Sequence, residues 1–412
     1  MTWPELEKFA PYTKASLDCL KDQVSAPVLD AIPDFLLIED HRVDPLTWAI
    51  ELDRVDFESG VSNREVLLRY LLSRAIVDQG SDIAGVEKWH SVLLGECYKS
   101  GFRILHAPDD FVNNYQRILE IASETRDNVV ASRAAPWAAG GKNRKVGQYT
   151  PFNVDGQRGG IQAHWFLSAR LFPALLLSVA HAGGLVDLVF SKMSTESPIE
   201  MSRRLRQDRV IGLGYCIGDK ACDLFTKWTL GSYRLTAGLL NSWAPADSPI
   251  PMDQRIGRLM TRFGLMDEFF GVTRMMSSTR FGFTPDDAQP RPSALGSSIP
   301  VGRWFLRVMD FRRKAKVEAA APKLWLENEW RRFGGSGRPP KFGPQDVVTI
   351  LCKSLSEYSG VDVTPVEIDD QLMRLGGSVC KDDLPECNDC SLSSTCQANS
   401  PLGLIALKSC YT

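Results

Sequence analysis

The stretch Leu67-Leu68-Arg69-Tyr70-Leu71-Leu72-Ser73-Arg74-Ala75-Ile76 decides the fold class. Its apolar residues recur three and four positions apart, which gathers them on one face of a helix; a strand would alternate every second residue. Phe111, Tyr115, Ile118, Leu119 and Ala122 repeat the pattern. Ser197-Pro198-Ile199-Glu200 reads as a capping box with proline at the first helical position, a helix-start signal. No run alternates as strands do, so the expected fold is all-α.

Composition narrows the function classes. The chain has 412 residues, 44% hydrophobic and 24% charged, with 48 basic and 50 acidic side chains for a net charge of -2. It has enough apolar residues for a large core and two or three domain units, which excludes disordered and collagen-like architectures. A near-neutral balance excludes a protein that coats nucleic acid through its overall charge, while leaving room for a local basic surface. The most apolar stretch, Phe166 to Phe190, is interrupted by Arg170, Pro173, His181 and Asp187. It reads as two buried helices joined near Ala182-Gly183-Gly184 and not as a membrane span, which needs about 20 mostly apolar residues. Met1-Thr2-Trp3-Pro4-Glu5-Leu6-Glu7-Lys8 lacks the pattern of a secretion signal. The expected location is cytoplasmic, away from membranes.

Two segments break the helical pattern. Residues 131–160 are rich in glycine and basic side chains, and 276–302 in serine, proline and glycine; both read as loops or linkers. Beyond them, residues 303–341 carry eleven Lys or Arg against four acids, a surplus of +7, with Trp304, Phe305, Trp325 and Trp330 interleaved. Two readings fit: a solvated helix face over aromatic core residues, or a surface that contacts phosphates and releases their counterions.

The ten cysteines are unevenly placed. Cys19, Cys97, Cys216, Cys222, Cys352 and Cys410 are scattered, whereas Cys380, Cys387, Cys390 and Cys396 fall within 17 residues. Their spacing, Cys-x6-Cys-x2-Cys-x5-Cys, lets one short loop turn four thiolates toward a common centre. Structural zinc sites more often pair two short Cys-x2–4-Cys knuckles, and a single run with one x2 step is the habit of iron–sulfur loops. Iron–sulfur is the favoured occupant and zinc its competitor. Disulfides are disfavoured in an intracellular chain.

This cysteine spacing resembles the [4Fe–4S] loop in the endonuclease III branch of the helix–hairpin–helix DNA glycosylases. Two further features of that superfamily occur in the expected order. Ile211-Gly212-Leu213-Gly214-Tyr215-Cys216-Ile217-Gly218-Asp219-Lys220-Ala221 resembles the hairpin, in which a glycine-containing turn around Gly214 and Gly218 exposes backbone N–H groups to a DNA phosphate. The family usually has glycine where Cys216 stands. Lys220 occupies the position of the nucleophile in the glycosylase–lyase members. A lysine near a helix N-terminus, partly desolvated, loses its proton more readily, and the neutral amine can attack C1′ of a deoxyribose. Lys227, seven residues on, is the reserve candidate.

The second feature is Ser248-Pro249-Ile250-Pro251-Met252-Asp253-Gln254-Arg255-Ile256. Its prolines fix an extended approach to Asp253 at a helix start, where an aspartate also makes a good N-cap. The resemblance makes Asp253 the catalytic carboxylate, which stabilises positive charge on the sugar, and Arg255 a DNA contact. The Pro-Ile-Pro approach is similar to that of the archaeal 8-oxoguanine glycosylase branch, so the chain combines features of two branches. Upstream, Leu71 to Gln79 resembles the helix whose terminal glutamine stands near the gap left by an extruded base, which makes Gln79 a DNA-binding candidate.

The resemblance implies two helical subdomains flanking a DNA-binding cleft, with residues 1–64 as an N-terminal helical region and 65–275 as the glycosylase core. Residues 276–302 then form the linker, and 303–412 a C-terminal helical region with the iron–sulfur loop. It implies a monomer that flips a modified base out of double-stranded DNA and cleaves its N-glycosidic bond, with a possible abasic-site lyase step. The cofactor would be a structural [4Fe–4S] cluster held by Cys380, Cys387, Cys390 and Cys396. Two alternatives stand beside housekeeping repair. One is a phage-defence enzyme that removes a hypermodified cytosine, whose bulk suits the long stretches between motifs. The other is a catalytically silent DNA-binding module.

Overall fold

The computed structural model describes residues 18–24, 29–77, 83–138, 167–180, 182–207, 219–240, 243, 248–251, 254–263, 348, 351–352, 355–356, 358–380 and 386–396. Among these residues the secondary structure is helical. There is no strand, only an isolated antiparallel bridge between Val55 and Ser62. No helix among them is long and apolar enough to cross a membrane. The chain divides into two compact units, Leu29–Ala244 and a unit made of Met1–Val28 with Pro245–Thr412. The boundary at 244/245 lies inside the 65–275 segment read from sequence as one core.

The Leu29–Ala244 unit is built around α2 (Asn63–Val77), which follows α1 (Pro45–Asp53). After it come α3 (Ile83–Lys99), α4 (Pro108–Asn113), α5 (Tyr115–Ala138), α6 (Phe172–Ala180), α7 (Gly184–Phe190), α8 (Pro198–Gln207) and α9 (Asp219–Lys227). Helix α2 is packed by α1, α3, α6, α7 and α9, and all of its residues except Arg74 are buried. The apolar stripe read from the sequence is therefore only one side of a helix enclosed all round.

Enclosure forces α2 to satisfy its own charges. The Glu65 carboxylate accepts the backbone N–H of Leu185 at 2.9 Å and of Val186 at 2.8 Å, and the Arg69 Nε–H at 2.9 Å. Arg69 donates onward to the carbonyls of Leu105 and His106. Arg64 donates to the carbonyls of Leu235 and Ala237 and pairs with Asp53. Glu65 thus supplies a counter-charge and acceptors to the α7 N-terminus, where backbone N–H groups lack helical partners. Gly184, at φ +67°, makes the approach possible, since a β-carbon there would lie 2.8 Å from the carboxylate.

In the other unit, α10 (Gln254–Phe263) packs against α11 (Pro365–Arg374) and the turn of π-helix that follows it, Leu375–Val379. Ile256, Leu259, Met260 and Phe263 of α10 are buried, as are Val366, Ile368 and Leu372 of α11. Thr364 and Glu367 form a capping box at the start of α11, with Pro365 at its first position. Residues 18–21 are helical and belong to this unit, with Leu20 fully buried.

Candidate functional site

Cys380 follows the π-helical turn directly, its N–H donating to the Leu375 carbonyl at 2.7 Å. The turn holds the chain's direction into the loop, and Glu386 N–H reaches back to the Val379 carbonyl at 2.9 Å. Cys387 opens a single 3-10 turn, Cys387–Asp389, and Cys390 closes it, donating to the Cys387 carbonyl at 3.2 Å. A further turn over 391–395, anchored by buried Leu392, leads to Cys396. Cys380 is buried and the other three cysteines are half-buried.

Cys390 feels the charges of Cys380 and Cys387. Burial raises the Cys390 pKa above its usual value, opposed by a backbone hydrogen bond from Leu392, and the charges of Cys380 and Cys387 raise it further. Neighbouring thiolates that repel one another want a cation between them, since a metal stabilises the deprotonated form outright. In chemistry four cysteine sulfurs are the donor type of a sulfur-ligated metal centre, though among the described residues they do not form a group with all ligand atoms within 4.8 Å of one another. Asp389 and Glu386 are exposed on this loop, which offers no basic side chain among its described residues.

The loop is joined to α10 through backbone contact. A β-carbon on Gly376 would lie 2.6 Å from the Arg255 carbonyl oxygen, so glycine is what permits the two segments to meet. Arg255 is exposed at the second position of α10. Residues 248–251 before it are non-helical and buried. Asp253 itself lies outside the described residues, one position ahead of the helix start.

Lys220 is the second residue of α9 in the Leu29–Ala244 unit and is half-buried. Every residue from Ala221 to Tyr233 is buried, so Lys220 stands where the helix emerges from the core. Lys227, the reserve candidate, is only 6% exposed in the last turn of α9, which gives it no comparable access. One turn from Lys220, the Asp223 carboxylate accepts the Ser202 hydroxyl of α8 at 2.7 Å. The hairpin over 211–218, with Gly214 and Gly218, lies outside the described residues, as does Gln79 beyond the end of α2. The basic segment 303–341 lies outside them too.

Sequence reasoning passed over one further group. Glu39, His41 and Glu51 each place a ligand atom within 4.8 Å of the others. Protein partners account for it: His41 Nε2 pairs with Glu39 at 2.9 Å, and Glu51 accepts from the Asn63 side chain at 2.8 Å. Neighbouring residues 39 and 41 in an extended segment are too common a pattern to single out from sequence.

No protein-family model, curated protein or solved structure matches the chain.

Proposed function

We propose that the protein is a helix–hairpin–helix DNA glycosylase that extrudes a modified base from duplex DNA and cleaves its N-glycosidic bond. What supports this reading is the spacing of Cys380, Cys387, Cys390 and Cys396, which is that of the endonuclease III iron–sulfur loop, together with the charges of Cys380 and Cys387 felt at Cys390. Cys380, Cys387, Cys390 and Cys396 would hold a [4Fe–4S] cluster, which supplies a structural cross-link rather than redox chemistry in base removal. The contact between Gly376 and Arg255 ties the loop to the start of α10, which follows Asp253 directly.

The chemistry then falls to two side chains. Extrusion costs a few kcal/mol of lost stacking and pairing, and it brings the sugar within reach of groups that an intact duplex would exclude. Asp253 stabilises positive charge on the sugar as the bond to the base breaks. The amine of Lys220 attacks C1′, the electron pair of the C1′–N bond leaves with the base, and the base takes up a proton. The nitrogen then gives up a proton, the C1′–O4′ bond opens with O4′ taking a proton up, and the Schiff base so formed links Lys220 to the sugar. The family resemblance assigns Gly214 and Gly218 to a phosphate contact that does not read sequence, and Arg255 and Gln79 to further DNA contacts.

The test is release of free base from a panel of duplexes carrying oxidised purines, oxidised pyrimidines and glucosylated hydroxymethylcytosine. Release from at least one substrate, lost in Asp253→Asn, is the expected result, and the substrate cleaved separates repair from phage defence. Tight duplex binding with no release from any member of the panel would make the chain a silent DNA-binding module.

A further inference from the structure

Helix α1 is apolar on two sides. Trp48, Ala49 and Leu52 are buried, and the Trp48 Nε1–H donates to the Tyr233 carbonyl at 2.9 Å. Leu46 and Ile50, one turn apart on the opposite side, are 71% and 66% exposed. A helix that is hydrophobic all round is ordinarily enclosed; α1 is enclosed on one side only. The chain then leaves α1 into a turn whose tip, Phe57, is fully exposed. That turn is nonetheless fixed. Val55 and Ser62 form a bridge, the Asp56 carboxylate accepts the Ser59 N–H at 2.9 Å and the Ser59 hydroxyl at 2.8 Å, and the Gly60 N–H donates to the Asp56 carbonyl at 2.9 Å. Arg103 clamps it from outside, donating to Glu58 and to Asp56 at 2.7 Å each. These bonds hold Phe57 outward without burying it. An aromatic side chain so held is a pre-organised anchor, because little ordering of its turn is left for a partner to impose.

Charge gives the partner's chemistry. From Asp44 to Ser62 there are five acidic side chains and one basic. Arg64 and Arg103 reach in to pair with Asp53, Asp56 and Glu58, which still leaves a surplus of two acids. Asp53 and Glu58 remain exposed beside the apolar side chains. A face of this sign repels DNA phosphates and an identical acidic face alike, and attracts a basic one. We propose that α1 and the Phe57 turn dock a basic amphipathic helix of a partner protein. Its apolar stripe lies against Leu46 and Ile50, Phe57 packs beside that stripe, and its Lys and Arg side chains face Asp53 and Glu58.

The experiment titrates the full chain into a fluorescent synthetic helix that has leucines three and four positions apart and lysines elsewhere, and follows anisotropy. Wild type is expected to bind, and Ile50→Ser and Phe57→Ser to bind roughly tenfold more weakly or worse. Both substitutions trim exposed side chains, so melting temperatures should stay at the wild-type value. Val361→Ser, which trims an exposed apolar side chain of the other unit, should bind as wild type does. A second peptide with glutamates in place of the lysines should bind wild type roughly tenfold more weakly. Absence of binding to the lysine helix would overturn the proposal, as would equal binding by Ile50→Ser and Phe57→Ser or equal binding of the glutamate peptide. A concentration-dependent dimer of the free chain that is lost in Phe57→Ser would assign the face to a second copy instead. Binding to phosphatidylserine vesicles lost in the same variant would assign it to a membrane surface; either result overturns the proposal.

Discussion

The carbonyl oxygen of Arg255 occupies the space that a β-carbon on Gly376 would need, 2.6 Å from its ideal position. The first turn of α10 and the turn that leads into Cys380 are therefore packed backbone to backbone. Gly377, one residue on, has an ordinary contact instead, with the Arg255 side chain at 3.6 Å. Neighbouring glycines thus have different roles, and the difference is measurable.

Gly376→Ala should destabilise this unit by about 1–3 kcal/mol, the usual cost of forcing extra volume into a packed site, because a backbone carbonyl cannot swing aside as a side chain can. It should also lower metal content, since the displaced turn carries Cys380. Gly377→Ala should leave both near wild type. Thermal denaturation and metal analysis of the two variants make the comparison.

The ionic centre of α2 predicts a second loss. Glu65→Ala removes the acceptor for Leu185 N–H and Val186 N–H and leaves Arg69 buried without its carboxylate. Breaking a buried pair from one side costs about 3–5 kcal/mol. Urea denaturation should show a midpoint shifted down accordingly. Gly184→Ala should fall in the same direction, because it combines a left-handed backbone position with a collision against Glu65.

Acid sensitivity should trace to His90. Burial lowers its pKa to about 3, with Arg74 adding to the shift, and its Nε2 lies 2.9 Å from the Ser73 hydroxyl. The unfolded chain binds a proton near pH 6.5 that the native site refuses. Stability is therefore fully present above about pH 6.5 and falls as the pH drops from there toward about 3. His106, lowered to about 4 chiefly by burial, acts with the same sign over a narrower window. Asp56, held well below the usual carboxylate range by Arg103, adds to the loss at the acid end. Denaturation midpoints measured between pH 8 and pH 4 should decline less steeply in His90→Gln than in wild type.

Metal content should depend on the loop and not on cysteines in general. Alanine at Cys380, Cys387 or Cys390 should abolish bound iron and the absorption band expected at about 400 nm for an iron–sulfur centre. Cys97→Ala, in the core of the other unit, should keep both.

Much of the helical framework was legible in the sequence because its signals are local. The box over Ser197–Glu200 is formed, with Ser197 N–H donating to Glu200 at 2.8 Å and Pro198 opening α8. The break at 182–184 separates α6 from α7, as the glycines there suggested. What periodicity missed was long-range. The stripe on α2 gave no sign that Arg64, Glu65 and Arg69 are buried, because their partners lie on Asp53, on the 235–237 turn, and at the start of α7. The π-helical turns after α9 and α11 were also invisible, since they depend on how the helix ends pack. At the candidate site, cysteine spacing pointed to a shared centre, and of the four thiols Cys390 feels the charges of Cys380 and Cys387.

The central claim is that Lys220 and Asp253 act on one deoxyribose. Its most direct measurement is borohydride reduction during turnover, with mass spectrometry to locate the adduct on the chain. The expected result is a stable DNA adduct on Lys220, absent from Lys220→Ala and strongly reduced in Asp253→Asn. Base release that continues unchanged in both variants, or an adduct carried by another residue, would contradict it.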